Sequence, residues 1–194
     1  MQIDKNVLKS CIKNDRKAQQ FLYKSCYNIL MSVCIRYKKN EEDARALLNM
    51  GFLKILKNIK KYSKKVPFEA WIRKIMINTI IDEFRKNKKE KEMMDYKDFQ
   101  DFDDNSSLID YNEADKKFDA NDLEMMIKLL PKVSQKVFNL YVIDGYNHRE
   151  IGDMLNISSG TSKWHLSFAR KKIKEMIKKS FANAKSLILW LIGV

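Results

Sequence analysis

The scarcity of turn residues constrains this chain more than any other feature of its sequence. Among 194 residues there are five glycines and two prolines. They are Gly51, Gly145, Gly152, Gly160, Gly193, Pro67 and Pro131. A β-sandwich needs turn signals about every 8–12 residues, and long stretches of this chain have none. We therefore predict an all-α protein, and a chain of this length suits two small helical domains.

Charge divides the chain into parts. Residues 90–122 hold twelve acidic side chains and four lysines, a local charge of −8, so the rest of this +13 chain carries +21. A stretch that repels itself in this way is typical of a flexible linker. We predict one domain over 1–89, an acidic linker over 90–121, a second domain over 122–180 and an apolar tail over 181–194. The linker is either a solvated spacer or a mimic of nucleic acid that shields the basic halves.

The two basic halves are typical of a protein that binds a polyanion, either nucleic acid or an acidic membrane. The apolar run at residues 187–194 is far shorter than the roughly 20 residues that span a bilayer, and the first residues lack the apolar run of a signal peptide. The three cysteines are odd in number and lack C-x-x-C spacing, which favours reduced thiols. We therefore expect a cytoplasmic protein, with no membrane insertion by this chain.

The sequence lacks the usual patterns of catalysis and metal binding. It has two histidines, His148 and His165, and no H-E-x-x-H motif. It also has no glycine-rich phosphate loop and no plausible Ser/His/Asp or Cys/His arrangement. We therefore expect no enzyme activity, no cofactor and no metal site.

Four amphipathic helices are predicted in the first half. Asp4, Asp15 and Asn40 suit the N-caps of the first three, which would run to about residues 14, 37 and 59. After a polar loop at 62–67, a fourth helix would cover 68–88. The apolar residues that we expect on the inner sides of the second and third helices are Phe21, Leu22, Cys26, Ile29, Leu30, Val33, Tyr37, Phe52, Leu53, Leu56 and Ile59.

The fourth helix has one polar stripe. Lys74, Asn78, Asp82 and Lys86 recur every four residues and therefore share one side of the helix. Such a stripe is either a solvated face or a surface that suits the backbone and base edges of a nucleic acid. Spacing alone leaves the two interpretations open.

The second half has the pattern of a DNA-binding motif. A helix through Val133, Val137, Phe138, Tyr141 and Val142 would end at Gly145. Asn147 and Glu150 then have the spacing of a capping box that opens a short helix. After a turn at 156–158, Ser158 or Ser159 would cap a long basic helix. A short helix, a tight turn and a basic helix are typical of a helix-turn-helix, although spacing alone leaves a plain helical bundle equally open.

Two sets of residues resemble one known family. The segment ISSGTSKWHLSFARKKI at 157–173, with LP at 130–131 and GYNHREI at 145–151, resembles region four of bacterial sigma factors. Independently, FEAWIRKIMIN at 68–78, with Asp82, Arg85 and Lys86, resembles the end of sigma region two. The residues at 22–23, 34–37 and 40–43 resemble its start. Both regions occur in order with no room for a third domain, which is the layout of the extracytoplasmic-function (ECF) group.

The resemblance implies that region four binds the minus-thirty-five element of a promoter with its last helix in the major groove. The residues it assigns to bases are Lys163, Trp164, Ser167 and Phe168. The residues it assigns to phosphates are Arg149, Ser159, Gly160, Thr161, Arg170 and Lys171. Lys can bond guanine, whereas Trp and Phe can press only on thymine methyls or sugars. The two aromatics depart from the smaller or basic residues common in the family, and packing within the domain or on core polymerase is the alternative.

The resemblance also implies that region two opens the minus-ten element and holds its non-template strand. The residues it assigns to this element are Lys64, Lys65, Lys74, Asn78, Asp82, Arg85 and Lys86. Lys88 and Lys89 would add attraction to the backbone. Trp71 is either a platform on which a base stacks or a core residue.

The partners that the resemblance implies are core RNA polymerase, promoter DNA and, in some members of the group, an anti-sigma factor. The residues it assigns to core polymerase are Glu42, Asp43, Asn49 and Phe52. The helix that carries them lacks much of the family's polar surface. Either Asn49 with Glu42 and Asp43 suffices, or the polymerase has compensating changes, or this chain binds the polymerase weakly. The alternative function is a stand-alone helix-turn-helix regulator whose first half is a dimerisation or ligand domain.

Overall fold

The computed structural model describes residues 3–38, 40–63, 65–94 and 120–192. Within these ranges every regular element is helical, which confirms the all-α prediction. The chain forms two compact units, Met1–Tyr96 and Lys97–Val194. The first holds α1 (Lys5–Ile12), α2 (Arg16–Ile35), α3 (Glu41–Asn58) and α4 (Phe68–Met94). The second holds α5 (Ala120–Lys128), α6 (Lys132–Phe138), α7 (His148–Leu155) and α8 (Ser159–Ile192).

The three predicted N-caps of the first unit are confirmed. The Asp4 carboxylate accepts a hydrogen bond from the Asn6 amide at 3.0 Å, and the Asp15 carboxylate accepts one from the Ala18 amide at 2.7 Å. The Asn40 side chain accepts one from the Asp43 amide at 2.8 Å. These bonds satisfy amides that have no partner inside the helix, so local sequence is enough to set where each helix begins.

The first unit is a bundle in which α2, α3 and α4 pack on one another. Its core includes Leu22, Leu30, Leu48, Ile55 and Ile72, each with no exposed surface. All three cysteines are buried, and this burial raises the pKa of the Cys26 and Cys34 thiols to about 12. The thiols therefore behave as small apolar side chains of the core.

Two apolar residues of this unit do not lie where we predicted. Phe21 is 55% exposed and Leu53 is 58% exposed, although both were expected on inner faces. The reason is the width of the buried stripe. Leu22 and Cys26 of α2, and Phe52 and Ile55 of α3, already occupy the packed side, so their apolar neighbours turn outward.

In the second unit, α6 and α7 pack on α8. The helix that begins with α6 widens into a π-turn at Asn139–Ile143, where the Asp144 amide bonds the Asn139 carbonyl at 3.0 Å. Gly145 then ends it with a φ of 77°, as predicted. The π-turn buries Leu140 fully and leaves Val142 48% exposed.

The helix-turn-helix is confirmed as α7, a three-residue turn and α8. Asn147 and Glu150 form the predicted capping box, with the Asn147 amide bonding the Glu150 carboxylate at 2.8 Å. Asn156 leaves α7 in the left-handed conformation with a φ of 55°. Ser158, and not Ser159, caps α8, because its hydroxyl accepts a bond from the Thr161 amide at 2.9 Å.

The ends of the two units differ from the sequence prediction. Helix α4 continues through Met94 and α5 begins at Ala120, so both helices reach into the predicted linker. Alternating charges spaced four apart around residues 86–92 favour this longer α4. Residues 95–119, the middle of the acidic linker, lie outside the described residues. The side chains of Lys88, Lys89 and the tail 181–194 also lie outside them, and the backbone of the tail continues α8 to Ile192.

Among the helices in the described ranges, none is both long and apolar enough to cross a membrane.

The close approach of Gly152 to the turn generates a prediction. A Cβ atom at Gly152 would lie 2.7 Å from the Ile157 carbonyl oxygen, which is backbone and cannot swing away. We expect Gly152→Ala to lower the free energy of unfolding of the second unit by about 1–3 kcal/mol through overpacking. Urea denaturation of the full chain, followed by circular dichroism, measures the change.

Gly160→Ala is the matched control. The nearest atom to a Cβ at Gly160 is the Ser158 hydroxyl oxygen at 3.6 Å, an ordinary contact. Because alanine favours a helix over glycine by up to about 1 kcal/mol, this variant should be as stable as the wild type or more stable. Equal stability of the two variants would contradict the proposed contact at Gly152.

Candidate nucleic-acid interface

Helix α8 presents one buried and one exposed side. Ser162, Leu166, Ala169 and Ile173 are buried against the rest of the second unit. The predicted base-contacting residues Lys163, Trp164 and Ser167 are exposed, and Phe168 is half-buried beside them. The structure therefore brings these four residues together on the first three turns of α8, where a recognition helix meets bases.

Trp164 and Phe168 form a stacked aromatic pair on this side. Their ring centroids lie 5.4 Å apart with an angle of 17° between the planes. The His165 ring meets the indole edge-on at 4.9 Å, and its Nδ1 lies 2.9 Å from the Ser134 hydroxyl of α6. Trp164 is nevertheless 57% exposed. Packing inside the domain therefore does not account for Trp164, although it accounts for part of Phe168.

The predicted phosphate-binding residues all lie at the surface of the second unit. Arg149, Ser159, Gly160, Thr161, Arg170 and Lys171 are all exposed. The Thr161 amide already bonds the Ser158 hydroxyl, so the start of α8 has one donor fewer for a phosphate than the sequence suggested. The Arg170 guanidinium lies 6.0 Å from the Tyr141 ring centroid, and Tyr141 stacks on His148 at 4.5 Å. This support holds Arg170 beside the recognition surface.

The first unit presents a second polar surface, on α4. The stripe of Lys74, Asn78, Asp82 and Lys86 is exposed, and so are Arg85 and Lys65. Lys64 lies outside the described residues. The stripe borders a pocket of about 280 Å³. The residues that line it are Lys54, Asn58, Lys61, Trp71, Ile75, Asn78, Thr79 and Asp82.

The pocket has an aromatic wall and a charged rim. Trp71 is half-buried in a cluster with Tyr62 and Phe68, at centroid distances of 5.2 and 5.6 Å. One part of Trp71 therefore packs in the core and another lines the pocket. Lys54 and Asp82 form an ion pair at 2.9 Å on the rim. The pocket thus offers a ring face, amides and charges of both signs, a set that can hold an unstacked base.

Five of the pocket residues were not predicted as site residues: Ile75 and Thr79 of α4, and three residues from α3 and the turn that follows it. Lys54, Asn58 and Lys61 come from the end of α3 and the turn after it. Lys54 and Asn58 are four residues apart, as in the stripe of α4. That spacing could have indicated a second polar stripe, but not that the two stripes face one pocket.

The residues predicted to bind core polymerase lie on α3 in two different environments. Glu42, Asp43 and Asn49 are exposed, and the Asn49 side-chain oxygen accepts a bond from the Tyr23 hydroxyl at 2.8 Å. Phe52 is only 7% exposed and packs edge-on against Tyr23 at 5.0 Å. This placement argues against direct contact between Phe52 and a partner, because its ring is already covered.

Both units match known sequence families. Residues 22–90 match Sigma-70 region 2, and residues 120–173 match Sigma-70, region 4. The ECF RNA polymerase sigma factor SigW of Bacillus subtilis (strain 168) is 25% identical over 187 residues, which cover 89% of this chain and 97% of SigW. This chain is an ECF sigma factor of the sigma-70 family. The matches do not support the alternative of a stand-alone regulator.

A solved structure agrees with the fold of this sigma factor. The sigma factor RpoE in complex with the anti-sigma factor NepR, from Bartonella quintana, superposes with a TM-score of 0.50 at 17% identity. The match covers 82% of this chain and 98% of that one. At this identity the likeness concerns the fold alone.

The pKa values of both histidines of region four are lowered. Burial lowers the pKa of His165. Burial also lowers the pKa of His148, with a smaller effect from the positive charges of Lys163 and Arg170. Both imidazoles are therefore neutral at pH 7, and each can share a hydrogen bond with its serine partner, Ser134 for His165 and Ser162 for His148.

The lowered pKa of His165 generates a prediction about acid. In the unfolded chain its pKa returns to about 6.5, so the unfolded state binds more protons than the folded state at mildly acidic pH. The contribution of neutral His165 to the free energy of unfolding is therefore complete above about pH 6.5, and it is lost as the pH falls through the folded pKa. We expect His165→Gln to flatten this dependence, because glutamine does not titrate. Urea denaturation of both chains at pH 7.5 and 5.0 tests this.

The carboxylates of the two proteins titrate alike, so they cancel in this comparison. An identical loss of stability between pH 7.5 and 5.0 in wild type and variant would contradict the role of His165.

Proposed function

We propose that this sigma factor binds core RNA polymerase, recognises the minus-thirty-five and minus-ten elements of its promoters and promotes strand opening at transcription initiation. The observation that carries the proposal is the pairing of two surfaces with two family regions. The unit matching region four presents a basic helix-turn-helix, and the unit matching region two presents the polar stripe of α4 beside a pocket. Residues 1–89 and 122–180 would be the two functional domains.

In region four, α8 would lie in the major groove of the minus-thirty-five element. Lys163 and Ser167 are exposed beside Trp164 on its early turns, so they would meet base edges. Arg149, Arg170 and Lys171, with the amides near Ser159 and Gly160, would hold the flanking phosphates. This division separates sequence recognition from general attraction to DNA.

In region two, the pocket beside α4 would hold a base of the opened minus-ten element. An unstacked base can lie against Trp71 while Asn78 bonds its edge. The Lys54–Asp82 ion pair on the rim is about half exposed, and such pairs are worth about 1 kcal/mol or less. A base that displaces the pair would therefore meet little resistance.

Core polymerase would bind the exposed side of α3. Glu42, Asp43 and Asn49 supply its polar contacts. Met50 and Leu53 are 47% and 58% exposed on the same helix, and they would replace part of the polar surface common in the family with apolar contact.

The protein would act by binding alone, without catalysis and without a cofactor. It would work in the cytoplasm, together with core polymerase and the chromosome. The structure of RpoE with NepR pairs a sigma factor with an anti-sigma factor, and a protein of that class is a partner that we propose for this chain as well.

A run-off transcription assay with the cognate core polymerase tests the function. We expect specific transcripts only when the full chain is added. A chain that neither copurifies with core polymerase nor yields such transcripts, yet binds duplex DNA as a symmetric dimer, would contradict the proposal in favour of a regulator.

The Asn78 side chain generates a prediction about strand opening. It is exposed at the pocket and is the residue best placed to bond an unstacked base. We expect Asn78→Ala to slow strand opening by about five- to tenfold, the loss of one hydrogen bond of about 1 kcal/mol or slightly more. Permanganate reactivity of unpaired thymines, followed in time, measures the opening.

Upstream binding serves as the internal control for Asn78→Ala. Affinity of the holoenzyme for a duplex that carries only the minus-thirty-five element should not change. A loss of that upstream affinity, with unchanged opening, would show that Asn78 does not act at the minus-ten element.

Lys163 and Lys171 generate a prediction about base preference and salt dependence. If Lys163 bonds a guanine, Lys163→Ala should relax base preference at one upstream position by about 1–3 kcal/mol. Lys171→Ala should weaken all sequences alike and flatten the dependence of affinity on salt. Competition binding with single-base promoter variants at two salt concentrations distinguishes them. Equal effects of the two substitutions on every sequence would refute the division into base and phosphate contacts.

A further inference from the structure

The Trp164–Phe168 pair is an apolar surface at the centre of a charged one. Trp164 is 57% exposed, and the two rings stack in nearly parallel planes. Lys171, one turn beyond Phe168 on α8, is exposed, and the Lys172 ammonium lies 6.0 Å from the Phe168 centroid. A large exposed ring beside cations fits a partner that combines an apolar group with dense negative charge.

Duplex DNA offers such a combination in one place. In the major groove, the apolar group on the base edges is the C5-methyl group of thymine, and phosphates line both sides of the groove. From the sequence alone, the sugars of the DNA were an alternative contact for the two aromatic rings. The placement of Trp164 favours bases, because it is exposed on the same early turns of α8 as Lys163 and Ser167, with Phe168 half-buried beside it.

The pair has the reach to meet more than one base. Its centroids lie 5.4 Å apart, whereas successive bases of a strand rise by about 3.4 Å. Two stacked rings of this separation therefore extend over two neighbouring base pairs. Either ring alone would cover one.

The indole is also held in place before any DNA arrives. Phe168 stacks on one of its faces, and His165 meets it edge-on at 4.9 Å. His165 is itself held by the hydroxyl of Ser134, which is only 1% exposed. A ring whose orientation is fixed loses little conformational entropy on binding. His165 is thus a positioning residue, because it acts through Trp164.

We propose that Trp164 and Phe168 read the methyl groups of thymines at two neighbouring base pairs of the minus-thirty-five element, an inference that rests on the function proposed above. The upstream element of this sigma factor therefore contains adjacent thymines on one or both strands. The two aromatics set its base preference in a way that a lysine or a small residue could not.

Replacing thymine by deoxyuracil tests this, because the exchange removes the C5-methyl group and leaves every hydrogen-bonding group in place. Full-length sigma factor with its core polymerase first selects binders from duplexes with a randomised upstream element. Each thymine of the selected element is then replaced singly by deoxyuracil, and the affinities of the holoenzyme are compared. We expect about a fourfold loss at each of two neighbouring positions, the value of one buried methyl group, and little change elsewhere.

Variants assign the effect to the aromatics. In Trp164→Ala, deoxyuracil and thymine should bind equally at one position, and in Phe168→Ala at the other. Lys171→Ala is the matched control, because it should weaken both duplexes alike and keep the fourfold ratio. His165→Ala should lower the ratio at the Trp164 position while leaving the salt dependence unchanged.

Three results would overturn the inference. A wild-type holoenzyme that selects a specific element but is indifferent to deoxyuracil at every position would remove it and leave the proposed function intact. Weaker binding of Trp164→Ala to core polymerase, with an unchanged thymine preference, would show that the pair contacts protein. Failure of the holoenzyme to form or to select any element would instead contradict the proposed function, and the inference would fall with it.

Discussion

The need to keep cations in water governs both units of this protein. Of its 194 residues, 38 are lysine or arginine, and such side chains are almost never fully buried unless paired. Helices α4 and α8 therefore turn an apolar side inward and most of their cations outward. The exposed sides of α4 and α8 follow directly, with Lys74 and Lys86 on the first and Lys163, Arg170 and Lys171 on the second. The same constraint that builds the core also builds the two candidate DNA surfaces.

Features that depend on a few neighbouring residues could be predicted from the sequence. The caps at Asp4, Asp15, Asn40 and Ser158, and the capping box at Asn147, are local hydrogen bonds whose partners lie at most three residues away. They fix where helices begin, and with the scarcity of glycine and proline they determine the all-α class and the helix-turn-helix.

Features that depend on how helices rotate against one another could not be predicted in this way. Phe52 and Leu53 are consecutive and both apolar, yet one is buried against Tyr23 and the other exposed. Only the packing of α2 on α3 decides between them. Likewise, Lys54, Asn58 and Lys61 join Asn78 and Asp82 in one pocket because α3 lies beside α4. The spacing of residues within one helix does not indicate which side of a neighbouring helix will face them.

The proposed division of labour has a consequence for how promoters are chosen. A methyl contact discriminates by about fourfold, whereas a good bidentate hydrogen-bonded pair is worth about 1–3 kcal/mol, or up to more than a hundredfold. An upstream helix that replaces hydrogen-bonding or small residues with Trp164 and Phe168 therefore tolerates substitutions more readily there. The proposed pocket of region two would then add to the selectivity, with an unstacked base lying against Trp71 and bonding Asn78. Because unstacking a base costs a few kcal/mol, only a base that fits the pocket compensates for that cost. A sigma factor built in this way would tolerate substitutions of the two contacted thymines more readily than loss of the guanine contact of Lys163, and it would commit to a promoter at the opening step.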